Sequence, residues 1–181
     1  MENKTNTKVS FKIRSLTLAA MFAALTCVAT IVIQVPSPMN GYVNLGDVLV
    51  LMCGFVLGPV YGTASAGIGS MLADVFTGYL HYAPGTLVIK AAMALVAYLL
   101  FAAFRNKSVN VTVSTIISGF VAEVIMVLGY FGYACLLLGK GLAAASSIPG
   151  NIVQGVFAIV CSTIICTILS KVKVGSKSIV K

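Results

Sequence analysis

The chain has 181 residues, of which 59% are hydrophobic and 9% are charged, whereas soluble domains have roughly 25% charged residues. This composition excludes an ordinary soluble domain and indicates a membrane protein. The net charge of +8 does not indicate nucleic-acid binding, because the basic residues fall in short clusters between apolar runs and form no aromatic-studded basic face.

Polar residues and Pro/Gly breaks divide the chain into six apolar segments, and a helix needs about 20 apolar residues to cross the hydrocarbon core. We predict an all-α membrane protein with six transmembrane helices, the second of them short. It forms one domain over residues 1–181, with polar cytoplasmic tails at 1–12 and 172–181. The predicted helices are residues 13–34, 46–58, 60–77, 85–104, 111–135 and 149–170. Because only Gly58-Pro59 separates the second from the third, we expect a tight helical hairpin there.

The charged N-terminal stretch MENKTNTKVSFKIR precedes an apolar run that lacks a small-residue cleavage site, so we expect the first helix to be retained. Basic residues are enriched on the cytoplasmic side of membrane proteins. With both termini in the cytoplasm, ten of the twelve Lys and Arg residues flank the cytoplasmic ends of the helices. Only Lys140 then lies outside and only Lys90 lies within a helix. The loops around residues 35–46, 78–84 and 137–148 therefore face outward.

Four ionisable residues fall within the predicted helices, and each costs about 3 kcal/mol to insert unless it finds a partner or a wet cavity. Asp47 begins the second helix, where it either caps the helix or binds a ligand. Asp74 ends the third helix at the outer side. Lys90 pairs with Glu123 or with Asp74, or some of these groups face a ligand.

Two amide side chains, Asn151 and Gln154, share one face near the outer end of the sixth helix. They form hydrogen bonds between helices or contact a ligand. Together with the outer loops they predict one pocket in the outer half of the bundle, closed to the cytoplasm. Aromatic walls with a few polar groups suit a small, flat, polar heterocycle. The candidate substrate-binding residues are Tyr42, Asn44, Asp74, His81, Tyr82, Lys90, Glu123, Tyr130, Asn151 and Gln154.

Motifs for catalysis and nucleotide binding are missing from the sequence. It contains no GxxxxGK[ST] loop, no HExxH and no GxSxG, and GIGSML lacks the third glycine of a dinucleotide fingerprint. Its five cysteines form no CxxC and its one histidine has no metal-ligating neighbours. We therefore expect no enzyme activity, no catalytic residue, no cofactor and no metal site, and the cysteines to be buried apolar side chains.

Residues 42–90, YVNLGDVLVLMCGFVLGPVYGTASAGIGSMLADVFTGYLHYAPGTLVIK, resemble the S components of energy-coupling factor (ECF) transporters, which take up vitamins in bacteria and archaea. The similarity is closest to the branch for riboflavin-like compounds, hydroxymethylpyrimidine and pyridoxine. The resemblance implies a substrate-binding subunit in the bacterial cytoplasmic membrane that works with an ECF transmembrane coupling subunit and two ATPase subunits. The chain has no tryptophan and so lacks the Trp-lined clamp of the thiamine-specific relatives.

Small residues recur at four-residue spacing on the first helix, at Ala19 and Ala23 and at Ala20 and Ala24. Such spacing lets another helix approach closely. The resemblance implies that this stripe is the docking face for the coupling subunit.

Three functions from different classes are compatible with the sequence. The leading hypothesis is capture of pyridoxine or hydroxymethylpyrimidine, with riboflavin next, for ATP-driven uptake with partner subunits. The second is a stand-alone, proton-coupled secondary carrier in which Glu123 relays protons. The third is a membrane assembly protein that does not transport, in which the buried charges form only structural pairs.

Overall fold

The computed structural model describes residues 2–37, 41–174 and 177–178. Six α-helices and two short antiparallel hairpins make up this part of the chain. They are α1 (Glu2–Val32), β1 (Gln34–Ser37), β2 (Gly41–Asn44), α2 (Gly46–Met52), α3 (Gly58–Thr77), α4 (Ala83–Asn106), α5 (Val111–Gly132), α6 (Ile148–Lys171), β3 (Lys173–Val174) and β4 (Lys177–Ser178). The π-helical turns Cys53–Leu57 and Tyr133–Leu137 extend α2 and α5, and the 3-10 helix Gly141–Ser147 leads into α6.

Five stretches of the described chain are long and apolar enough to cross a membrane. They are Ile13–Val32, Gly46–Thr77, Ala83–Asn106, Val111–Leu137 and Gly141–Lys171. This is one fewer than the six spans predicted, because α2 and α3 fall in the same stretch. At 1.5 Å per residue, α2 and its π turn extend about 18 Å, which is short of a hydrocarbon core about 30 Å thick.

The chain turns back between α2 and α3, as the Gly58-Pro59 break predicted. Gly58 has φ 80° and ψ −168°, a backbone conformation that L side chains rarely adopt. Beyond the turn, Gly62 lies so close to the carbonyl of Cys53 that a Cβ atom has no room there. In one continuous helix these two residues would be about 13 Å apart along the axis. The two segments therefore form a tight hairpin.

Helix α2 lies in the middle of the bundle, in contact with α1, α3, α4 and α6. Val50, Leu51 and Met52 are at most 3% exposed and pack in a core that includes Phe101 and Met126. A short helix surrounded on all sides has no face left for lipid. Its one charged residue, Asp47, is consequently held at the centre of the protein.

The two ends of the bundle differ. One end, called here the hairpin end, carries the antiparallel β1–β2 hairpin and the segments around residues 78–82 and 138–147. The sequence analysis did not predict these strands. At the other end, the stretch predicted as an N-terminal tail is helical from Glu2, and β3 pairs with β4. Residues 1, 175–176 and 179–181 of the predicted tails lie outside the described residues.

Candidate ligand-binding cavity

A narrow cavity opens at the hairpin end and has a volume of about 40 Å³, which is below the range of about 300 to 1,000 Å³ typical of ligand pockets. Strand β2, helices α3 to α6 and the segment before α6 all contribute to the wall. The lining residues are Tyr42, Asn44, Asp74, Tyr82, Thr86, Tyr130, Ser147, Asn151 and Gln154.

Seven of the ten predicted site residues line this cavity, and His81, Lys90 and Glu123 do not. Sequence analysis missed two lining hydroxyl groups. Thr86 lies one helical turn after Tyr82 on α4, so the i, i+4 spacing from a predicted site residue was a usable signal. Ser147 precedes α6 in a segment of small residues, where no sequence pattern distinguishes it.

On one wall, the Tyr42 hydroxyl donates a 2.5 Å hydrogen bond to Oδ1 of Asp74. Burial and the neighbouring Asp74 carboxyl raise the pKa of Tyr42 above its usual value, so the phenol keeps its proton and acts as the donor. Asp74 is 2% exposed, and its Oδ2 atom has no hydrogen-bond partner among the described residues. The Thr86 hydroxyl also interacts with the Asp74 carboxyl, but only Oδ1 has a partner at hydrogen-bond geometry among the described residues.

Asn151 lies on α6, on a different wall of the same cavity. It is 8% exposed, and its amide makes no hydrogen bond to another residue that the structure describes. An amide offers both a donor and an acceptor group. Between these walls the Thr86 and Tyr130 hydroxyls bond to each other at 3.0 Å.

At the rim of the cavity, Lys140 Nζ donates to the Tyr82 hydroxyl at 3.0 Å and lies 4.9 Å from the centre of the Tyr82 ring. Tyr133 donates to the backbone carbonyl of His81 at 2.8 Å. The His81 side chain is exposed, and its ring lies 4.8 Å from that of Tyr82. His81 thus packs on the rim and does not belong to the lining.

Beneath the cavity, a hydrogen-bonded cluster of Asn44, Asp47, Lys90 and Gln154 forms what is called here the floor network. Lys90 pairs with Oδ1 of Asp47, and both side chains are at most 3% exposed. Gln154 donates to the other oxygen, Oδ2, at 2.5 Å, and accepts from the backbone N–H of Asn44 at 2.7 Å. Every oxygen of the Asp47 carboxylate therefore has a partner.

This network corrects two expectations from the sequence. Lys90 pairs with neither Glu123 nor Asp74, because the central position of α2 brings Asp47 against α4. Asp47 also does not cap α2, since the N-cap residue is Leu45 and no side chain caps that end.

Glu123 does not line the cavity, and its charge interacts with Asp47 and Lys90 of the floor network without a hydrogen bond to either of them. It is 5% exposed, and neither of its carboxylate oxygens has a hydrogen-bond partner in the described part of the chain. It packs against Gly155 of α6, where a Cβ atom would lie 3.1 Å from its Oε2.

The alanine stripe of α1 is divided between two environments. Ser65 on α3 donates to the carbonyl of Ala19 at 2.8 Å, and Gly69 on α3 lies directly against the carbonyl of Ala23. Ala20 and Ala24 are exposed on the other side of α1. Only this second pair remains available to another protein.

The side chains that line the cavity are suited to binding a ligand. The described residues contain no group of three His, Cys, Asp or Glu side chains able to hold a metal ion. The lining combines tyrosine rings with one carboxylate and several neutral polar groups, the usual make-up of a small-molecule site. Fold and site together define a membrane-embedded protein that binds a small ligand.

Comparison with known proteins identifies the family. The family model described as "ECF-type riboflavin transporter, S component" matches residues 10–171, and the chain belongs to this family. An uncharacterized protein in the gap 3' region of Pyrococcus woesei is 34% identical over 134 residues, covering 74% of this chain and 86% of that protein.

Two solved structures share the fold. The S component of a bacterial ECF transporter has a TM-score of 0.65 and 22% identity, covering 87% of this chain and 96% of that one. The S component for biotin from an ECF-type ABC transporter has a TM-score of 0.59 and 18% identity, covering 86% and 92%. The chain is thus a multi-pass cell-membrane protein of a transporter family and is not an enzyme.

Proposed function

We propose that the protein captures a small, planar, nitrogen-containing vitamin or vitamin precursor from outside the cell, as the substrate-binding subunit of an ECF-type importer. The observation that carries this proposal is the cavity, whose lining combines tyrosine rings with Asp74 and Asn151 and includes a carboxylate oxygen, Oδ2 of Asp74, without a hydrogen-bond partner among the described residues. Pyridoxine or hydroxymethylpyrimidine is favoured, with riboflavin next.

The charges around the cavity favour a neutral or cationic ligand over a bulky anion. The lining contains no Lys or Arg, although the recognition of anions usually depends on such residues. Lys90 lies beneath the lining, and its charge is neutralised by Asp47.

The distribution of basic residues supports a topology with six helices and both termini in the cytoplasm. Arg14, Arg105, Lys107 and Lys171 lie at the end of the bundle opposite the cavity, and basic residues are enriched on the cytoplasmic side. In this orientation the hairpin end faces outward, so the cavity opens toward the source of the substrate.

The energy for uptake comes from partners in this proposal, because the chain has no nucleotide-binding loop. The expected partners are the ECF transmembrane coupling subunit and two ATPase subunits. Docking uses the exposed side of α1 around Ala20 and Ala24, where small side chains permit close helix contact.

Ligand binding by the purified chain tests the proposed capture of a vitamin or vitamin precursor. Thermal-shift and calorimetric measurements with pyridoxine, hydroxymethylpyrimidine and riboflavin should find at least one tight ligand. Asn151→Leu should abolish its binding, whereas Val153→Leu, at a 67% exposed position on the same helix, should bind as the wild type does. Failure of the wild type to bind any of the three would overturn the proposal.

Uptake by the chain reconstituted with its partner subunits tests the docking face. Ala24→Trp should abolish uptake while ligand affinity and thermal stability stay near wild type. Ala23→Trp should instead destabilise the protein, since the backbone of Ala23 lies directly against Gly69 of α3. If Ala24→Trp supports normal uptake, this side of α1 does not dock the coupling subunit.

The second candidate function is a stand-alone, proton-coupled carrier. It is favoured by the buried Glu123, whose oxygens have no hydrogen-bond partner among the described residues, because buried ionisable residues of transporters often relay protons. Purified chain in liposomes without partners would then accumulate ligand under a pH gradient, and Glu123→Gln would stop it. Under the leading proposal the same liposomes show binding without transport.

A further inference from the structure

We infer that Asp74 selects the ligand by accepting a hydrogen bond from an N–H group, an exocyclic amine or a protonated ring nitrogen, on a planar aromatic heterocycle. This inference rests on the proposed function and names the chemistry of its substrate. In this role, one carboxylate oxygen distinguishes ligands that carry a hydrogen-bond donor from ligands that do not.

The two oxygens of the Asp74 carboxylate differ in their hydrogen bonding. Tyr42 satisfies Oδ1 at 2.5 Å, while Oδ2 is buried and has no partner among the described residues. A buried carboxylate oxygen without a donor is unfavourable. A ligand that brings a donor to this atom relieves that cost, and a ligand without one does not.

The other buried acids that the structure describes differ from Asp74 in their hydrogen bonding or in their location. Asp47 has partners on both oxygens, Lys90 and Gln154. Glu123 has no partner but does not line the cavity. Of these three, Asp74 alone combines a place in the cavity lining with an unpaired oxygen.

The charges around the cavity and the amide on α6 favour the same kind of ligand. Lys90 is held by Asp47, and Lys140 lies at the rim against Tyr82, so no basic side chain of the lining competes for Asp74. A carboxylate in such a site attracts donors and cations and repels anions. The amide of Asn151 is available to bond a second edge of the same ring, which fits a nitrogen heterocycle with donors and acceptors on its rim.

The experiment uses matched ligand pairs in which methylation of one nitrogen removes its N–H donors. Hydroxymethylpyrimidine is compared with its dimethylamino analogue, and riboflavin with its imide N-methyl analogue, by calorimetry on the purified full chain. Wild type should prefer the N–H member of at least one pair by about tenfold to a hundredfold, the range for a hydrogen bond to a charged group.

Asp74→Asn tests whether Asp74 causes this preference. With Tyr42 still donating to the amide oxygen, the substituted side chain presents an NH₂ donor where Oδ2 was, so the preference should vanish. Glu123→Gln makes the same chemical change at a buried acid outside the lining. This variant should keep the preference for the N–H member of the pair. If Asp74→Asn does not fold, Asp74→Ser replaces it with the same expected result.

The outcomes separate this inference from the proposed function. If wild type binds a parent compound and its methylated analogue equally, or if Asp74→Asn keeps the wild-type preference, Asp74 does not select the ligand although the cavity still binds it. If wild type binds neither these compounds nor pyridoxine, the proposed function fails, and the inference fails with it. If wild type binds pyridoxine alone, the proposed function stands, and equal affinity of wild type and Asp74→Asn for pyridoxine overturns the inference.

Discussion

The floor network and the cavity wall each contain a buried aspartate, and the two differ in how completely their oxygens are paired. In the floor, Lys90 and Gln154 bind both oxygens of Asp47. In the wall, Tyr42 binds one oxygen of Asp74 and the other stays unpaired. Burial is nearly complete in both, at 0% and 2% exposure.

Burial of a charged residue in this fold therefore does not identify a ligand-binding group. A buried charge whose partners are all supplied by the protein holds helices together, and the floor network links β2, α2, α4 and α6 in this way. A buried carboxylate with an unpaired oxygen in a cavity is available to bind a ligand. Four substitutions test this division between the floor network and the cavity wall.

Lys90→Met should have the largest effect on stability. It leaves Asp47 as an uncompensated charge at the centre of the bundle, and removing one partner of a buried ion pair costs about 3 to 5 kcal/mol. Thermal unfolding in detergent, followed with a thiol-reactive dye that reports exposure of the buried Cys53 and Cys166, measures this loss.

The control for Lys90→Met is Lys171→Met at the exposed end of α6, which should change stability little. The double variant Asp47→Asn, Lys90→Met should recover part of the loss, because the unpaired charge is gone. Additive losses in the double variant would contradict a structural ion pair in the floor.

Gln154→Leu should have the next largest effect, since Gln154 belongs to both regions. It removes the donor to Asp47 and the acceptor for the Asn44 N–H, and each buried polar group left unpaired costs about 1 to 3 kcal/mol. The same dye assay should show clear destabilisation, and calorimetry should show weaker ligand binding. A stable variant with wild-type affinity would mean that the floor does not support the cavity.

Tyr42→Phe should cost about 1 kcal/mol by removing the hydrogen bond to Asp74. The raised pKa of Tyr42 means that the folded state favours the protonated phenol. Its contribution should therefore be constant below the ordinary tyrosine pKa of about 10 and should fall as the pH rises above that value. Unfolding measured for wild type and variant from about pH 7 to 11 should show a constant difference that shrinks only at the alkaline end.

Glu123→Gln should have the smallest effect on stability, within about 1 kcal/mol of wild type, because neither oxygen has a hydrogen bond to lose and the change is nearly isosteric. Ligand affinity should also be unchanged. A large loss of affinity would mean that Glu123 contributes to the binding site. It would contradict the distinction between the floor network and the cavity wall.

Much of the fold followed from one-dimensional patterns. Apolar segment lengths predicted helices whose positions agree closely with α2 to α6, whereas α1 begins at Glu2 and not at residue 13. The Gly58-Pro59 pair predicted the reversal after α2. The β1–β2 hairpin was missed, because four-residue strands, one of them interrupted by Pro36, give almost no periodic signal. The short α2 was expected, but its central position was not.

The sequence by itself determined that this is a helical membrane protein and that its polar side chains gather near one end of the bundle. The physical reason is the insertion cost of polar groups, which confines them to few positions, so seven of the ten predicted residues line one cavity. The pairing of Lys90 with Asp47, the place of Glu123 outside the cavity lining and the contact of the Ala23 backbone with α3 depend on the tertiary structure. Spacing along a helix fixes which residues share a face, but the rotation and packing of the helices decide what that face meets.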